Sequence, residues 1–287
     1  MPEGRGMSNH SIDIRTDHQY RGGNSSPCLC RGSPCLNKMK INELHSYATR
    51  ILRGGKDLRD ESAAQSVAEE TVIAMYINGR HATTSVLSPG YLEEYTIGYL
   101  FSEEVIRSAE DIESIRFEKN RISVLTKDPF RITGRRKTIL AGCGGSTSYI
   151  DASKLPTITS VYVSSFAAIA DMIPSSSVQY ESAVLADENG VIRSFQDIDC
   201  YCAIDRVIGY GLLNAVDFSC TLLVISGKIT SEMVRRCLLA GIPILATTGA
   251  VTTLAREIAE ETNLCLAGFL TGEAMTVFSH PERVSCS

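Results

Sequence analysis

The last third of the chain alternates short apolar runs with amphipathic segments, and this pattern restricts the fold more than any other feature. TLLVIS, IPILAT and LCLAGFL have the length of buried strands, and SEMVRRCLLAG and VTTLAREIAEET between them have the spacing of helices. Continuous apolar strands joined through helices are typical of a parallel sheet covered on both faces. The sequence therefore predicts an α/β core over residues 161–287. Ahead of these strands, the core also contains a helix over VSSFAAIADMI, a hairpin turning at 189–190, and a helix over CAIDRVIGYGLLNA.

Two hairpins and one helix are predicted upstream of this core. EETVIAMYINGRHATTSVLS has strand-like runs on either side of Asn-Gly at 78–79, the pair that favours a type I′ turn. A second hairpin over IRFEKNRISVLT turns at 119–120. Between them, Ser88 can cap a helix whose first turn contains Pro89. Residues 39–127 are therefore predicted to form a smaller β-rich subdomain with one helix.

The first 38 residues differ in composition from the rest of the chain. Residues 1–38 are rich in Gly, Ser, Asn, Arg and Pro and poor in aliphatic side chains, which predicts a disordered tail. Three thiols lie there, at Cys28, Cys30 and Cys35, in the segment PCLCRGSPC. Because no histidine is near them and their spacing fits no common zinc pattern, free thiols are favoured over a metal clip.

Composition and charge exclude several classes of function. The net charge of -5 offers no broad basic field for nucleic acid. No apolar run reaches the roughly 18–20 residues that span a bilayer, and the N-terminus lacks the apolar region of a secretory signal. Of the ten cysteines, Cys220, Cys237 and Cys265 lie in apolar segments, where free cysteine is a small buried hydrophobe. A reducing, cytoplasmic setting is therefore expected.

One cysteine stands among glycines in KTILAGCGGSTSYID. Cys143 belongs to the segment 128–160, which we expect to be a mobile connection. The segment lacks the Gly-Lys-Ser/Thr of a Walker loop, and Ser146 stands where a C-x-x-C pair would have its second thiol. The basic run 135–137 would favour the thiolate, which is the nucleophilic form. Cys143 is therefore either a sulfur-accepting or redox nucleophile, or an incidental surface cysteine.

The ends of the predicted core strands are the expected ligand site. In open α/β sheets, ligands bind in the loops beyond the carboxyl ends of the strands. Those loops are 226–228, 247–249 and 270–272. In SGKITSEM, the start of a helix together with Lys228 could hold an anionic group.

The pair of thiols in CYC is the second unusual cysteine feature. Cys200 and Cys202 lie at the start of a predicted helix, where the helix dipole favours a thiolate. They could bind metal or relay sulfur, but two thiols alone do not complete a zinc site, so two half-buried cysteines are favoured.

His280 precedes a proline near a strand end and is expected to be structural. Neither G-x-S-x-G nor H-E-x-x-H is present, which argues against serine hydrolases and metalloproteases.

From about residue 65 to the C-terminus the chain resembles the FdhD family, the formate dehydrogenase accessory sulfurtransferases. The resemblance rests on VAEETVIAMYINGR, SPGYLEEYTIGYLFSEEVI, AVLADENGVIRSFQDI, AIDRVIGYGLL and the block from LLVISGKITSEM to FSHPERV, all in the same order. It implies a cytoplasmic homodimer with a cytidine-deaminase-like three-layer core. Deamination itself is rejected, because the chain has neither the His/Cys-x-Glu nor the Pro-Cys-x-x-Cys of a zinc deaminase.

The resemblance also implies a reaction, with no metal bound directly by the protein. Persulfide sulfur would pass from a cysteine desulfurase to the molybdenum bis(molybdopterin guanine dinucleotide) cofactor, which is the cargo destined for the catalytic subunit of formate dehydrogenase. Cys143 matches the family's sulfur-carrying cysteine. The strand-end reasoning adds Lys228 and Thr248 to the cofactor-binding residues that the resemblance implies. Those residues are Phe269, Leu270, Thr271, Gly272, Glu273 and Ala274.

The chain departs from the family pattern at three places. Ser146 replaces the second loop cysteine, the family's Thr-Gly-Gly-x-His is here 177–181, and its Gly-Arg-His-Asn is here 199–202. Two histidines and an arginine expected near the cofactor are therefore absent from those positions. Two alternatives stay open: a cofactor-binding carrier or chaperone that no longer transfers sulfur, and a carrier in which Cys200 and Cys202 handle the sulfur.

Overall fold

The computed structural model describes residues 11–12, 44–53, 59–128, 137–139, 146–148, 152–174 and 179–285. The strands are β1 (Ser11–Ile12), β2 (Leu44–Arg53), β3 (Arg59–Ala68), β4 (Thr71–Ile77), β5 (Arg80–Leu87), β6 (Ile112–Glu118), β7 (Arg121–Thr126), β8 (Lys137–Ile139), β9 (Ser146–Ser148), β10 (Ser164–Ser165), β11 (Glu181–Asp187), β12 (Gly190–Asp197), β13 (Leu222–Ile225), β14 (Ile244–Thr247), β15 (Cys265–Gly268), β16 (Thr276–Ser279) and β17 (Val284–Ser285). The α-helices are α1 (Leu92–Ser102), α2 (Phe166–Asp171), α3 (Cys200–Leu213), α4 (Ser231–Ala240) and α5 (Thr253–Glu261).

The N-terminal unit is a five-stranded sheet in the order β1-β6-β7-β4-β5, with α1 packed on it. Both predicted hairpins are confirmed, and Asn78 and Gly79 have the positive φ angles, 50° and 78°, that a type I′ turn requires. Alternating side chains of β4 are buried against α1, among them Ile73 and Met75. The β2–β3 hairpin precedes this unit and was not predicted from the sequence.

The predicted start of α1 is wrong. The helix begins at Leu92, after Tyr91 in a left-handed conformation (φ 49°), and Ser88 does not cap it. The backbone of Ser88 is instead held by two buried side chains of the core. Its N–H donates to Asp197 Oδ1 at 3.0 Å, and its carbonyl accepts from Arg206 Nη2 at 2.6 Å. The chain bends at residues 89–90 and the helix starts only at Leu92, so Pro89 lies outside the first turn.

The C-terminal core is a six-stranded sheet in the order β12-β11-β13-β14-β15-β16. The strands β13, β14 and β15 are parallel, as predicted, and β11 and β16 are antiparallel to their neighbours. One face of the sheet packs against α3, α4 and α5, and the other packs against α2. The α/β three-layer prediction is therefore confirmed. The central strands are buried on both faces, and their side chains are apolar except for Thr247, whose hydroxyl is hydrogen-bonded.

One turn in the core differs from its prediction. Asp187 pairs with Gly190, so the β11–β12 turn consists of Glu188 and Asn189, one residue earlier than expected. A shift in register between Leu185 and Ala186 accompanies this change. A β-bulge adds one residue to a strand and so moves the turn along the chain.

The N-terminal unit and the core meet where α1 crosses α3, and a glycine in each helix allows the close contact. α1 and α3 approach so closely that a Cβ on Gly98 would lie 1.7 Å from the Asp205 carbonyl oxygen, and one on Gly209 would lie 1.8 Å from the Glu94 carbonyl oxygen. Beside this crossing, buried Arg236 donates through Nε to Asp205 Oδ1 at 2.9 Å. Burial acts to lower the pKa of Arg236, but the neighbouring Asp205 and Glu232 carboxylates outweigh burial and raise the pKa above its ordinary value.

Parts of the predicted tail and connection lie outside the described residues. Of residues 1–38, only Ser11–Ile12 are described, and they pair with β6. Cys28, Cys30 and Cys35 are therefore outside the described residues. Within the predicted connection, β8 and β9 form a two-stranded antiparallel ribbon.

Candidate functional site

Four strands of the core sheet end at one edge, and the loops beyond that edge form the candidate site. β12, β13, β14 and β15 point the same way because β11 is antiparallel to both β12 and β13. α3, α4 and α5 begin beyond this edge. The loops at 226–228, 247–249 and 269–274 therefore lie next to one another, as the strand-end reasoning predicted.

Two threonines bind the first two loops together. The Thr247 hydroxyl donates to the Gly227 carbonyl and accepts the Gly249 N–H at 2.9 Å. The Thr248 hydroxyl donates to the Ser226 carbonyl at 3.1 Å. Since a hydroxyl has one hydrogen, Thr248 can offer a ligand only an acceptor lone pair.

The third loop starts at an exposed aromatic side chain. Phe269 has a left-handed backbone (φ 53°), its N–H donates to the Gly249 carbonyl at 2.8 Å, and its side chain is 53% exposed. The next residue, Leu270, is buried, and its N–H donates to the Thr247 carbonyl at 3.0 Å. Of these two predicted residues, Phe269 is accessible to a ligand, whereas Leu270 anchors the loop in the core.

The rest of the loop is an exposed turn. The Thr271 hydroxyl accepts the Ala274 N–H at 3.0 Å and the Glu273 N–H at 3.3 Å, and the Thr271 N–H donates to the Ala274 carbonyl at 2.8 Å. Nothing lies within 4 Å of a Cβ built on Gly272. The turn is therefore closed by its own hydrogen bonds, and Gly272 and Glu273 are exposed at its tip.

Lys228 and the start of α4 form the opposite side of the site. Lys228 is exposed, and the chain beyond it is fixed by the Ile229 N–H, which donates to the Ala250 carbonyl at 2.9 Å. Thr230 holds the N-cap position of α4, but its hydroxyl hydrogen-bonds to the Tyr201 hydroxyl at 2.6 Å and not to the helix backbone. Tyr201, from α3, is thereby placed beside the loop that carries Lys228.

A carboxylate that sequence reasoning missed also lies at this edge. The register of β11 with β13 pairs Ala183 with Ile225, and two residues further along it places Glu181 beside Gly227. The Ser226 hydroxyl donates to Glu181 Oε2, and the Ser226 oxygen accepts the Ser182 N–H at 2.8 Å. Glu181 was noted in the sequence only as a departure from a family motif.

The two cysteines of CYC start α3, as predicted, but the structure does not favour thiolates there. Asp199 caps the helix by accepting the Tyr201 N–H at 2.8 Å. Cys200 is 6% exposed and Cys202 is 8% exposed. Burial, followed by the Glu181 charge, raises the pKa of Cys200, and burial likewise raises that of Cys202. Desolvation therefore outweighs the helix dipole, and both thiols stay protonated at neutral pH.

Other predicted cysteines divide into buried, partly exposed and undescribed ones. Cys237 and Cys265 are buried, as predicted, whereas Cys220 is partly exposed, because it ends a short 3₁₀ segment ahead of its strand. Cys143 and the two arginines of the run 135–137 lie outside the described residues.

The described residues contain no group of three or more His, Cys, Asp or Glu side chains arranged to hold a metal ion. None of the described helices is long and apolar enough to span a membrane.

The chain belongs to the FdhD/NarQ family, because the family model matches residues 68–285. It is 29% identical over 230 residues to a protein named sulfur carrier protein FdhD in Methanothermobacter thermautotrophicus, covering 77% of this chain and 92% of the relative. A protein of the same name in Bacillus pumilus is 28% identical over 253 residues, covering 82% and 97% of the two chains.

A solved structure has the same fold. The crystal structure of a putative formate dehydrogenase accessory protein from Desulfotalea psychrophila superimposes with a TM-score of 0.69 at 25% sequence identity. The match covers 84% of this chain and 99% of the other. The predicted family and the predicted α/β fold are therefore both confirmed.

Proposed function

We propose that this chain is a sulfurtransferase that serves formate dehydrogenase. It takes persulfide sulfur from a cysteine desulfurase and passes it to the molybdenum bis(molybdopterin guanine dinucleotide) cofactor. The observation that carries the proposal is membership of a family whose relatives are named sulfur carriers, together with Cys143 in the glycine-rich position of the family's sulfur-carrying cysteine. The described thiols of the core support it indirectly, because Cys200 and Cys202 are buried and protonated and so make poor nucleophiles.

The proposed step is a thiol–persulfide exchange. The Cys143 thiolate attacks the outer sulfur of the donor's persulfide, the sulfur–sulfur bond of the donor breaks, and the donor cysteine leaves as a thiolate. Cys143 then carries one additional sulfur atom. Onward transfer breaks the new sulfur–sulfur bond: its electron pair stays with Cys143, which returns to the thiolate form, and the acceptor cofactor supplies the electron pair that binds the transferred sulfur.

The strand-end loops offer the groups that a large anionic, aromatic cargo would need. Exposed Phe269 provides a ring on which a base or pterin can stack. Lys228, across the site, provides a positive charge for a phosphate. Gly272 lets the exposed turn approach a ligand without a side chain in the way. These contacts support Lys228, Phe269 and Gly272 as binding residues, whereas the buried side chain of Leu270 has a structural role.

Mass spectrometry tests the proposal directly. The intact chain is incubated with a cysteine desulfurase and cysteine, and a gain of about 32 Da, one sulfur atom, is expected on the peptide that contains Cys143. Cys143→Ala should lose this gain. Cys220→Ser is the matched control, because Cys220 is a partly exposed described cysteine, and this variant should keep the gain. An unchanged gain in Cys143→Ala, or none in the wild type, would refute sulfur transfer through Cys143.

A carrier that binds the cofactor without moving sulfur is the second candidate. The structure favours it at one point: Glu181, Cys200 and Tyr201 lie around the strand-end edge at positions where the family resemblance leads us to expect histidine and arginine. Binding of GDP, measured by calorimetry in parallel with the persulfide assay, separates the two. Binding without a sulfur adduct identifies the carrier, and binding with an adduct on Cys143 identifies the sulfurtransferase.

A further inference from the structure

The Glu181 carboxylate is the one acidic side chain that strand pairing places directly against the Ser226–Gly227 loop in the described part of the site. Its Oε2 accepts the Ser226 hydroxyl, which fixes the carboxylate group. No described residue donates a hydrogen bond to Oε1, and no described cation pairs with Glu181. One carboxylate oxygen therefore remains available, and Oε2 keeps a second lone pair.

The groups around this carboxylate are held in place by strand pairing and hydrogen bonds. Ser226 is itself held in place by the Ser182 N–H at 2.8 Å, so donor and acceptor are both fixed to paired strands. Beside Oε2 lies Gly227, where even a Cβ would come within 3.2 Å of that oxygen. Any larger residue at Gly227 would cover the carboxylate, so the glycine keeps it accessible.

An ionised carboxylate accepts hydrogen bonds and cannot donate them. It repels phosphate groups, and so an anionic part of a ligand is directed away from Glu181 and toward Lys228. It attracts neighbouring N–H donors, and two parallel donors match its two oxygens. The heterocyclic edge with this pattern is an imide N–H next to an exocyclic amino group, as found in 2-amino-4-oxo rings.

We propose that Glu181 is the specificity-determining residue of the site and binds the imide and amino groups of a 2-amino-4-oxo ring. This inference rests on the proposed function, since the proposed cargo carries that edge in its guanines and in its pterins. Glu181 orients this ring and exposed Lys228 receives the phosphates, while exposed Phe269, on the loop after β15 and three strands away from β11, is available to stack a different ring of the cargo. Glu181 occupies the position where the family motif has histidine, and in this chain it therefore accepts hydrogen bonds from donors of the ligand.

Calorimetry with paired probes tests this inference on the full chain. GDP is compared with IDP, which lacks the exocyclic amino group, and pterin is compared with lumazine, which carries an oxygen in its place. We expect GDP or pterin to bind at least about tenfold more tightly than its partner probe, corresponding to about 1.4 kcal/mol. Preference in the first pair assigns the edge to guanine, and preference in the second assigns it to the pterin.

Glu181→Gln should abolish the discrimination, bringing the affinity ratio to about one. If the Ser226 hydroxyl then donates to the amide oxygen, an amide NH₂ faces the ligand's own donors. The matched control is Glu188→Gln, an exposed glutamate in the turn at the other end of β11, which should keep the ratio. Thermal melting of each variant shows that it is folded.

Two outcomes overturn the inference. Equal affinity within both probe pairs in the wild type, including the absence of all binding, contradicts it without any variant. A preference that survives in Glu181→Gln contradicts it as well. These outcomes differ from failure of the proposed function, which is the absence of a sulfur adduct on Cys143. A chain that discriminates GDP from IDP through Glu181 but forms no adduct supports the inference and identifies the cofactor carrier.

Discussion

Substituting alanine for Gly98 tests whether the two units are held together by the close crossing of α1 and α3. A Cβ on Gly98 would lie 1.7 Å from the Asp205 carbonyl oxygen and 2.5 Å from the carbonyl carbon. Both are backbone atoms, so no rotation of a side chain can relieve the overlap. The helices must move apart by more than an ångström to restore an ordinary contact, and the buried Ser102–Asp205 hydrogen bond of 2.7 Å lies in the same contact.

Two opposing effects set the magnitude. Alanine raises helix propensity by about 1 kcal/mol over glycine, so an isolated α1 would be stabilised. Overpacking in a tight core costs about 3 kcal/mol. The net loss in the free energy of unfolding is therefore about 2 kcal/mol, which corresponds to a fall in Tm of roughly 4–8 °C. The sign of the change in the free energy of unfolding distinguishes the two effects, because helix propensity predicts a gain in stability and overpacking predicts a loss.

Urea denaturation followed by circular dichroism measures this loss. Gly209→Ala, whose Cβ would lie 1.8 Å from the Glu94 carbonyl oxygen, should destabilise the fold to a similar extent. The double variant should lose less than the two single losses combined, because helices separated by one methyl group already accommodate the second. Glu257→Ala, at an exposed position of α5, is the control and should change stability by about 0.5 kcal/mol or less. A Gly98→Ala variant as stable as the wild type would refute the close crossing.

Two further predictions concern buried polar groups. Arg206→Met should reduce the free energy of unfolding by about 3–5 kcal/mol, because it leaves Asp197, 2.6 Å from the guanidinium, as an uncompensated buried charge. The control Arg256→Met removes an ion pair in which both side chains are 52% exposed, and it should cost about 0.5 kcal/mol. Equal losses in the two variants would contradict this reasoning. Burial raises the pKa of Cys237 to about 12, so the stabilisation from the protonated thiol is complete below the unfolded pKa of about 8.5 and is lost as pH rises toward 12. Between those values the unfolding free energy should fall with pH more steeply in the wild type than in Cys237→Ala, by about 1.4 kcal/mol per pH unit, and parallel curves would show that the thiol does not contribute.

The sequence was most informative where local chemistry determines the outcome. The Asn-Gly turn at 78–79 and the apolar strands β13, β14 and β15 formed as predicted, because turn geometry and burial on both faces depend on residues close in sequence. The start of α1 could not be predicted in the same way. Ser88 has the side chain of a helix cap, but Asp197 and Arg206, more than a hundred residues further along the chain, bind its backbone instead.

The candidate site shows the same division between local and distant causes. Lys228 and Thr248 follow strands that run in one direction, so the rule that ligands bind at carboxyl ends selects them as candidates from the sequence. That rule overlooks Glu181, because Glu181 begins its strand. β11 enters the sheet antiparallel to β13, and this reversal brings the first residue of β11 to the edge where β13 ends. In a mixed sheet, the starts of antiparallel strands therefore belong to the ligand-binding edge as much as the ends of parallel ones. The residue that we expect to set specificity lies at such a start, which is why its role depends on the pairing of strands and not on any motif around it.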